Sequence, residues 1–344
     1  MERIADFVYN GEFDAELIDV ESEHSALSAC LGAQATGVRT FTATASQGLA
    51  LMHEVLFIVS GMRLPIVMAV ANRTLSAPIN IWNDHQDSIS SRDAGWIQLY
   101  VESAQEALDT VIMAYKVAEN KNVLMPVMVC LDGFNLSHVY EPVDIPEQKK
   151  VDSFLQDYKP LFKLDPAKPL TMGPVSFPDT FMYFKQDQQR AMLNSIKVIS
   201  NVNNEFKKKF GRNYGNGLIE AYKINDATAA LVAVGSMCGT ARAVVDELRK
   251  KGKRIGLLKI RCFRPFPKNE LINATKNIKV LNVVDRNISL GEEGALLSGI
   301  KSALRDKKMI INGFVAGLGG KDITKEDIQK MILTKKQTKT EWLV

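Results

Sequence analysis

RTFTATASQGLALMHEVLFIVSGMRLPIVMAVANRT, residues 39–74, decides the fold class. "RTFTATA" reads as a strand, a helical pattern starts at Gly48, and "PIVMAVA" at 65–71 is a strand again. Parallel strands joined by helical crossovers are buried on both faces, so they appear as short, nearly continuous apolar runs of this kind.

The alternation extends in both directions. "AELIDV" (15–20) reads as a strand before a helix from His24, and "WIQLYVE" (96–102), a helix from Ala104 and "PVMVCLD" (126–132) follow. In that last helix Ala107, Val111, Ala114, Tyr115 and Ala118 recur at helical spacing. Strands alternating with helices predict an open, largely parallel α/β sheet. Pro142, Pro146, Pro160, Pro166, Pro169, Pro174 and Pro178 then interrupt the chain, a density that excludes regular helix and predicts an extended arm. A long helix from Thr180 to Lys209, ending near Gly211, leads to a second α/β unit near Leu218. There "ATAALVAVGS", "RIGLLKI", "KVLNVVD" and "MIINGFVAG" are strands, and Thr240 is placed to cap the helix bearing Ala241, Val244, Val245 and Leu248. The expected division is 1–140, 141–215 for the arm and long helix, and 216–335.

The 344 residues are 46% hydrophobic and 24% charged, the balance of a folded globular chain. The net charge of +4 is spread, apart from Lys207–Lys209 and Arg249–Arg254. Those runs sit at expected helix ends, where cations complement the helix dipole, and no nucleic-acid motif accompanies them. No apolar run reaches the roughly 18 residues of a membrane span, and the expectation is a cytoplasmic protein. Cys30, Cys130, Cys238 and Cys262 lie far apart, as buried free thiols would, with no metal or cluster spacing.

Ligands of open α/β sheets gather beyond the carboxyl ends of the strands. Here those ends read "ESEHS" (21–25), "TASQG" (44–48), "ANRT" (71–74) and "DGF" (132–134). Glu21 and Glu23 could cap the following helix, or one carboxylate could hydrogen-bond a ring nitrogen of a cofactor. The small residues Ala26, Ser28, Ala29, Gly32 and Ala33 would let a ring or a helix approach closely. The planar fork of Arg73 suits a substrate carboxylate, and an ion pair with Asp84 or Asp87 is the competing use. His53 is expected to be packed, His24 and His138 are isolated, and "NDHQD" (83–87) could be either a ligand site or a hydrogen-bonded turn. "GSMCGT" (235–240) lacks the dinucleotide-binding glycine pattern.

Residues 18–87, "DAGWIQLYVESAQEALD" (93–109), "LDGFNLSHVYEPVDIPEQ" (131–148), "IRCFRPFPKNEL" (260–271) and "VVDRNISLGEEGAL" (283–296) resemble the alpha subunit of 2-oxoacid:ferredoxin oxidoreductases, closest to the pyruvate type. The resemblance implies a pyrimidine-type thiamine diphosphate-binding domain joined to a transketolase C-terminal-like domain. It also implies that Glu23 meets the aminopyrimidine ring and Arg73 the substrate carboxylate. The implied reaction converts pyruvate, coenzyme A and oxidised ferredoxin to acetyl-CoA, carbon dioxide and reduced ferredoxin. Beta, gamma and delta subunits are implied as partners, holding Mg2+ with the cofactor diphosphate and the [4Fe-4S] clusters. Branched-chain 2-oxoacid oxidoreductases are the nearest variant; a 2-oxoacid dehydrogenase beta subunit and a non-catalytic assembly module are further alternatives. Subunits of this kind usually begin with another strand and helix and a "YPITP" loop whose threonine contacts substrate, and the resemblance implies that this segment is missing before "MERIADF".

Overall fold

The computed structural model describes residues 2–344. Its first half comprises α1 (Glu2–Tyr9), α2 (Glu23–Ala35), β1 (Phe41–Thr44), α3 (Ser46–Leu51), α4 (His53–Gly61), β2 (Val67–Asn72), α5 (Gln86–Ser90), β3 (Ile97–Tyr100), α6 (Ala104–Ala118), β4 (Val127–Asp132), α7 (Gln148–Leu155) and α8 (Pro178–Phe210). The second half adds β5 (Ile219–Tyr222), β6 (Ala229–Ala233), α9 (Met237–Lys250), β7 (Ile255–Ile260), β8 (Cys262–Arg264), α10 (Lys268–Ala274), β9 (Val280–Asp285), α11 (Ala295–Leu304), β10 (Ile310–Ala316), α12 (Lys325–Leu333) and β11 (Glu341–Leu343).

Two sheets result, ordered β1-β2-β4-β3-β8 and β11-β10-β9-β6-β7-β5. The pairs β1/β2, β2/β4 and β3/β4 are parallel, with Thr44 opposite Val70 and Asn72 opposite Asp132. This register brings the loops after β1, β2 and β4 to one end. β2 and β4 are buried almost throughout, which explains their lack of polar alternation.

The expectations fail locally, for identifiable reasons. "AELIDV" is not a strand: those residues find no neighbour to complete a ladder and are mostly exposed. The helix expected from Gly48 starts at Ser46 and breaks at Met52 into α3 and α4. α7 forms inside the proline-rich arm, in the interval between Pro146 and Pro160. α8 starts with Pro178 in its first turn and ends where Gly211 turns left-handed at φ +79°. Thr240 lies inside α9, which begins at Met237.

The two halves share more than a surface. β8 follows β7 directly, yet pairs antiparallel with β3 in the first sheet. Beside this crossing, Glu106 of α6 is buried at 1% exposure between cations of β7 and the residue after it. Lys259 Nζ lies 2.6 Å from one carboxylate oxygen and Arg261 Nε 2.5 Å from the other. Arg242 bridges Glu102 and Glu220 at 2.5 and 2.7 Å next to them. The adjoining guanidinium and ammonium hold the Glu106 carboxyl below the usual range against the opposing effect of burial.

A second buried carboxylate repeats the arrangement at the strand ends. Asp132, the last residue of β4, accepts from His85 Nε2 at 2.7 Å, Arg286 at 2.8 Å and the Ser236 N–H at 2.9 Å, and also from the Ser236 hydroxyl. Gly235 sits at φ +76°, and a Cβ there would stand 2.7 Å from the Asp132 carboxylate. The glycine of "GSMCGT" therefore serves close packing. Ser236, turned toward Asp132, makes no side-chain cap on α9.

Glu106→Gln is expected to cost about 3–5 kcal/mol in denaturant unfolding, since it removes the charge from between two buried cations. Arg286 and His85 hold the Asp132 carboxyl well below its ordinary value. Its contribution is thus complete above the unfolded-state value near 3.8 and is lost as pH falls below it. The stability gap between wild type and Asp132→Asn should therefore be largest near neutral pH and shrink below about pH 4, as read by urea unfolding across pH.

Candidate active site

The rim at the carboxyl ends of the first sheet is assembled from the predicted loops. Ser22 caps α2, accepting from the Ser25 N–H at 3.3 Å. Glu21 accepts from the Ser25 hydroxyl, which lowers its pKa, and thus stays local to the turn. The capping positions are filled without Glu23. The Glu23 carboxylate is exposed and makes no hydrogen bond or ion pair with any described residue.

Its seat is Gly48 of α3. A Cβ at Gly48 would meet Glu23 Cγ at 2.8 Å, Glu23 Oε1 at 3.0 Å and Thr44 Oγ1 at 2.6 Å. Thr44 Oγ1 is buried and has no hydrogen-bond partner among the described residues. A free carboxylate and a buried, unpaired hydroxyl thus converge over a helical glycine. The glycine of "SQGLALMHE" makes room for a carboxylate.

Arg73 follows β2. The only hydrogen bond to a described residue is made by its backbone N–H, which donates to Asp87 at 3.0 Å. The guanidinium forms no ion pair with Asp84 or Asp87, nor with any other described carboxylate. Its stem crosses Gly133, where a Cβ would stand 2.7 Å from Arg73 Cγ. The glycine of "DGF" therefore lets the arginine lie over the end of β4. Phe134 next to it stacks on His138, ring centroids 4.3 Å apart, and faces Trp82 at 6.4 Å.

"NDHQD" proves to be a hydrogen-bonded hub that reaches both halves. The His85 N–H donates to the Arg286 carbonyl at 2.8 Å, and the Gly320 N–H to the Asn83 carbonyl at 2.7 Å. Gln86 accepts from the Ile288 N–H at 3.0 Å. Asp87 is fully enclosed; burial pushes its carboxyl up to about 6, which leaves it ionised at neutral pH among its N–H donors. His53 is exposed, against expectation, and stands edge-on to Phe57 on the solvent side of α4. His24 lies 3.8 Å from Glu54 in solvent. Cys30 is half-buried and the other three thiols are buried. Among the described residues no group of three or more His, Cys, Asp or Glu side chains is placed to hold a metal ion, and no helix is long and apolar enough to cross a membrane.

Sequence reasoning placed Thr44, Gly48 and Gly133 on the rim and offered Asp87 as an ion-pair partner of Arg73, but gave none of them its role as a support of Glu23 or Arg73. Spacing carries no signal for these, because each acts across loops that are distant in the chain.

The architecture is that of a thiamine diphosphate-binding α/β protein. Residues 1–204 match the family described as "Pyruvate flavodoxin/ferredoxin oxidoreductase, thiamine diP-bdg", and residues 227–328 match "Pyruvate:ferredoxin oxidoreductase core domain II". Pyruvate synthase subunit PorA of Methanocaldococcus jannaschii is 59% identical over 96% of this chain and 85% of its own. Ketoisovalerate oxidoreductase subunit VorA of Pyrococcus horikoshii is 46% identical over 96% of this chain and 84% of its own. A 2-oxoglutarate:ferredoxin oxidoreductase from Magnetococcus marinus, with 2-oxoglutarate, coenzyme A and succinyl-CoA bound, shares the fold at TM-score 0.66 and 17% identity. The match covers 96% of this chain and 59% of that one. The chain belongs to the pyruvate:ferredoxin oxidoreductase family, as an alpha subunit.

The donor set fits the aminopyrimidine half of thiamine diphosphate. A free carboxylate suits a ring nitrogen, and the unpaired Thr44 hydroxyl lies beside it.

Alanine is the better helix former by about 1 kcal/mol, so Gly32→Ala and Gly239→Ala, with open space at the new methyl, should stabilise the chain. Gly48→Ala should not, because its methyl meets Glu23 and Thr44. Thermal unfolding of the three variants side by side checks this.

Proposed function

We propose that this chain is the pyrimidine-binding, substrate-orienting subunit of an enzyme that decarboxylates pyruvate oxidatively, passing the acetyl group to coenzyme A and electrons to ferredoxin. The observation that carries this reading is Glu23, a carboxylate at the start of α2 that the fold seats on Gly48 and leaves without a partner among the described residues.

Thiamine diphosphate, when bound, supplies the electron sink that lets a 2-oxoacid lose carbon dioxide. Glu23 would hold a proton shared with a nitrogen of the aminopyrimidine ring, the task of a general acid–base carboxylate. Arg73 would take the substrate carboxylate with its two-pronged fork, unhindered by any competing carboxylate of this chain. Phe134 and Trp82 give the neighbouring wall an apolar, aromatic character suited to a small 2-oxoacid.

A beta subunit would supply Mg2+ and the diphosphate site, which places the cofactor between subunits. Gamma and delta subunits would complete a cytoplasmic assembly, and partner subunits would carry the [4Fe-4S] clusters. The exposed Ile79, Ile81, Trp82 and Tyr140 support such burial by a partner.

The test is pyruvate- and coenzyme A-dependent viologen reduction by the complex that copurifies anaerobically with this chain. Glu23→Gln should lower turnover by at least about a hundredfold with the partners still bound. Unchanged turnover would reject the assignment, and faster turnover of 2-oxoisovalerate than of pyruvate would move the substrate to the branched-chain class.

A further inference from the structure

Four N–H donors from three segments of the chain converge on one buried carboxylate that takes no direct part in the chemistry proposed above. Asp87 Oδ2 accepts from the Ser46 N–H at 2.9 Å and from the Arg73 N–H at 3.0 Å. Oδ1 accepts from Asn72 Nδ2 and from the Ser88 N–H, both at 2.7 Å. Ser46 opens α3, the helix that carries Gly48 beneath Glu23, and Asn72 and Arg73 end β2. The Ser46 hydroxyl also donates to the Thr74 carbonyl, which links the same two loops a second time.

Neither loop holds its shape by itself here. Ser46 adopts φ +52°, a left-handed conformation that a side chain other than glycine reaches at some cost. Its N–H points into the protein and needs an acceptor there. Arg73 lies beyond the last ladder pair of β2, so its N–H has no strand neighbour to bond. A neutral amide in place of Asp87 would turn one NH2 group toward inward-pointing donors, since both carboxylate oxygens are occupied by N–H groups.

We infer that Asp87 is a positioning residue: its carboxylate fixes the backbone from which Arg73 reaches the substrate, and the Ser46 N–H on the same oxygen anchors it there. The inference rests on reading Arg73 as the residue that binds the substrate carboxylate. Asp87 touches neither substrate nor cofactor; it acts through the Ser46 and Arg73 amides. Small displacements of a positioned group are costly in this setting, because a misplacement of about 1 Å can cost about a hundredfold in rate or specificity.

The experiment uses the assembled complex with Asp87→Asn, Arg73→Gln and the double variant. Asp87→Asn should raise the KM for the 2-oxoacid by about tenfold or more, with kcat changed by less than about threefold and the KM for coenzyme A unmoved. In the Arg73→Gln background the same change should add nothing further, because the group being positioned is already gone. A general structural defect would lower kcat, disturb both KM values and multiply with Arg73→Gln. That multiplicative pattern, or an unchanged KM in Asp87→Asn, overturns the inference. An unchanged 2-oxoacid KM in Arg73→Gln alone overturns the reading of Arg73 itself, and the inference with it. If Asp87→Asn does not assemble, Asn72→Ala removes one donor from Asp87. It should then give a smaller rise in 2-oxoacid KM that vanishes in the Arg73→Gln background; a rise that persists there overturns the inference.

Discussion

Glu106 is a carboxylate with no water to solvate it, and much of the molecule is arranged around that constraint. A buried charge is tolerated only when it is paired and fully hydrogen-bonded. Both of its cationic partners, Lys259 and Arg261, come from the other half of the chain. α6 and β7 therefore cannot separate without exposing three charges that the fold has stripped of water. The same region sends β8 across to pair with β3, so the first sheet is completed by residues that follow the second sheet's own β7. Asp132 applies the same logic at the strand ends, with Arg286, His85 and Ser236 as its partners. These contacts give the rim a rigid floor.

On that floor, room is made by glycine and direction is set by charge. Gly48 admits Glu23, Gly133 admits the stem of Arg73, and Gly235 admits the Asp132 carboxylate. In each case the missing Cβ is filled by a charged or polar side chain from a different loop. A site built this way is pre-organised, because the functional groups lean on backbone that ladders and buried ion pairs hold in place. Among the described residues the Glu23 carboxylate, the Arg73 guanidinium and the Thr44 hydroxyl stand at the rim without partners, as groups suited to a bound molecule would.

The outer surface is that of a subunit. The first turns of α8 expose Phe181, Met182, Tyr183 and Phe184 in succession, so that segment is apolar on nearly every side. A helix with apolar residues all round is stable in water only when something covers it. Val175, Phe177 and Tyr140 extend the same character along the arm. The relatives with which this chain shares about half its residues or more are named as subunits, and these surfaces agree with that organisation.

Much of the architecture was legible because burial on both faces leaves a plain trace: "PIVMAVA", "PVMVCLD" and "RIGLLKI" are apolar runs that local composition alone marks as strands. The end of α8 was equally legible, since Gly211 supplies the left-handed turn. "AELIDV" misled for the converse reason: strand formation depends on a neighbouring ladder, which no short stretch can encode for itself. Glu23 and Arg73 stood out as charged residues at the ends of expected strands, and the resemblance supplied their expected roles. The sequence by itself thus determined the alternating α/β architecture and the identity of the rim residues, because these follow from periodicity and residue type. Only the tertiary structure decided that Ser22 rather than Glu23 caps α2, that Arg73 escapes both Asp84 and Asp87, and that Asp87 and Asp132 bind the loops together. Such assignments depend on which polar groups meet across long separations in the chain, and that is set by packing once water has been excluded.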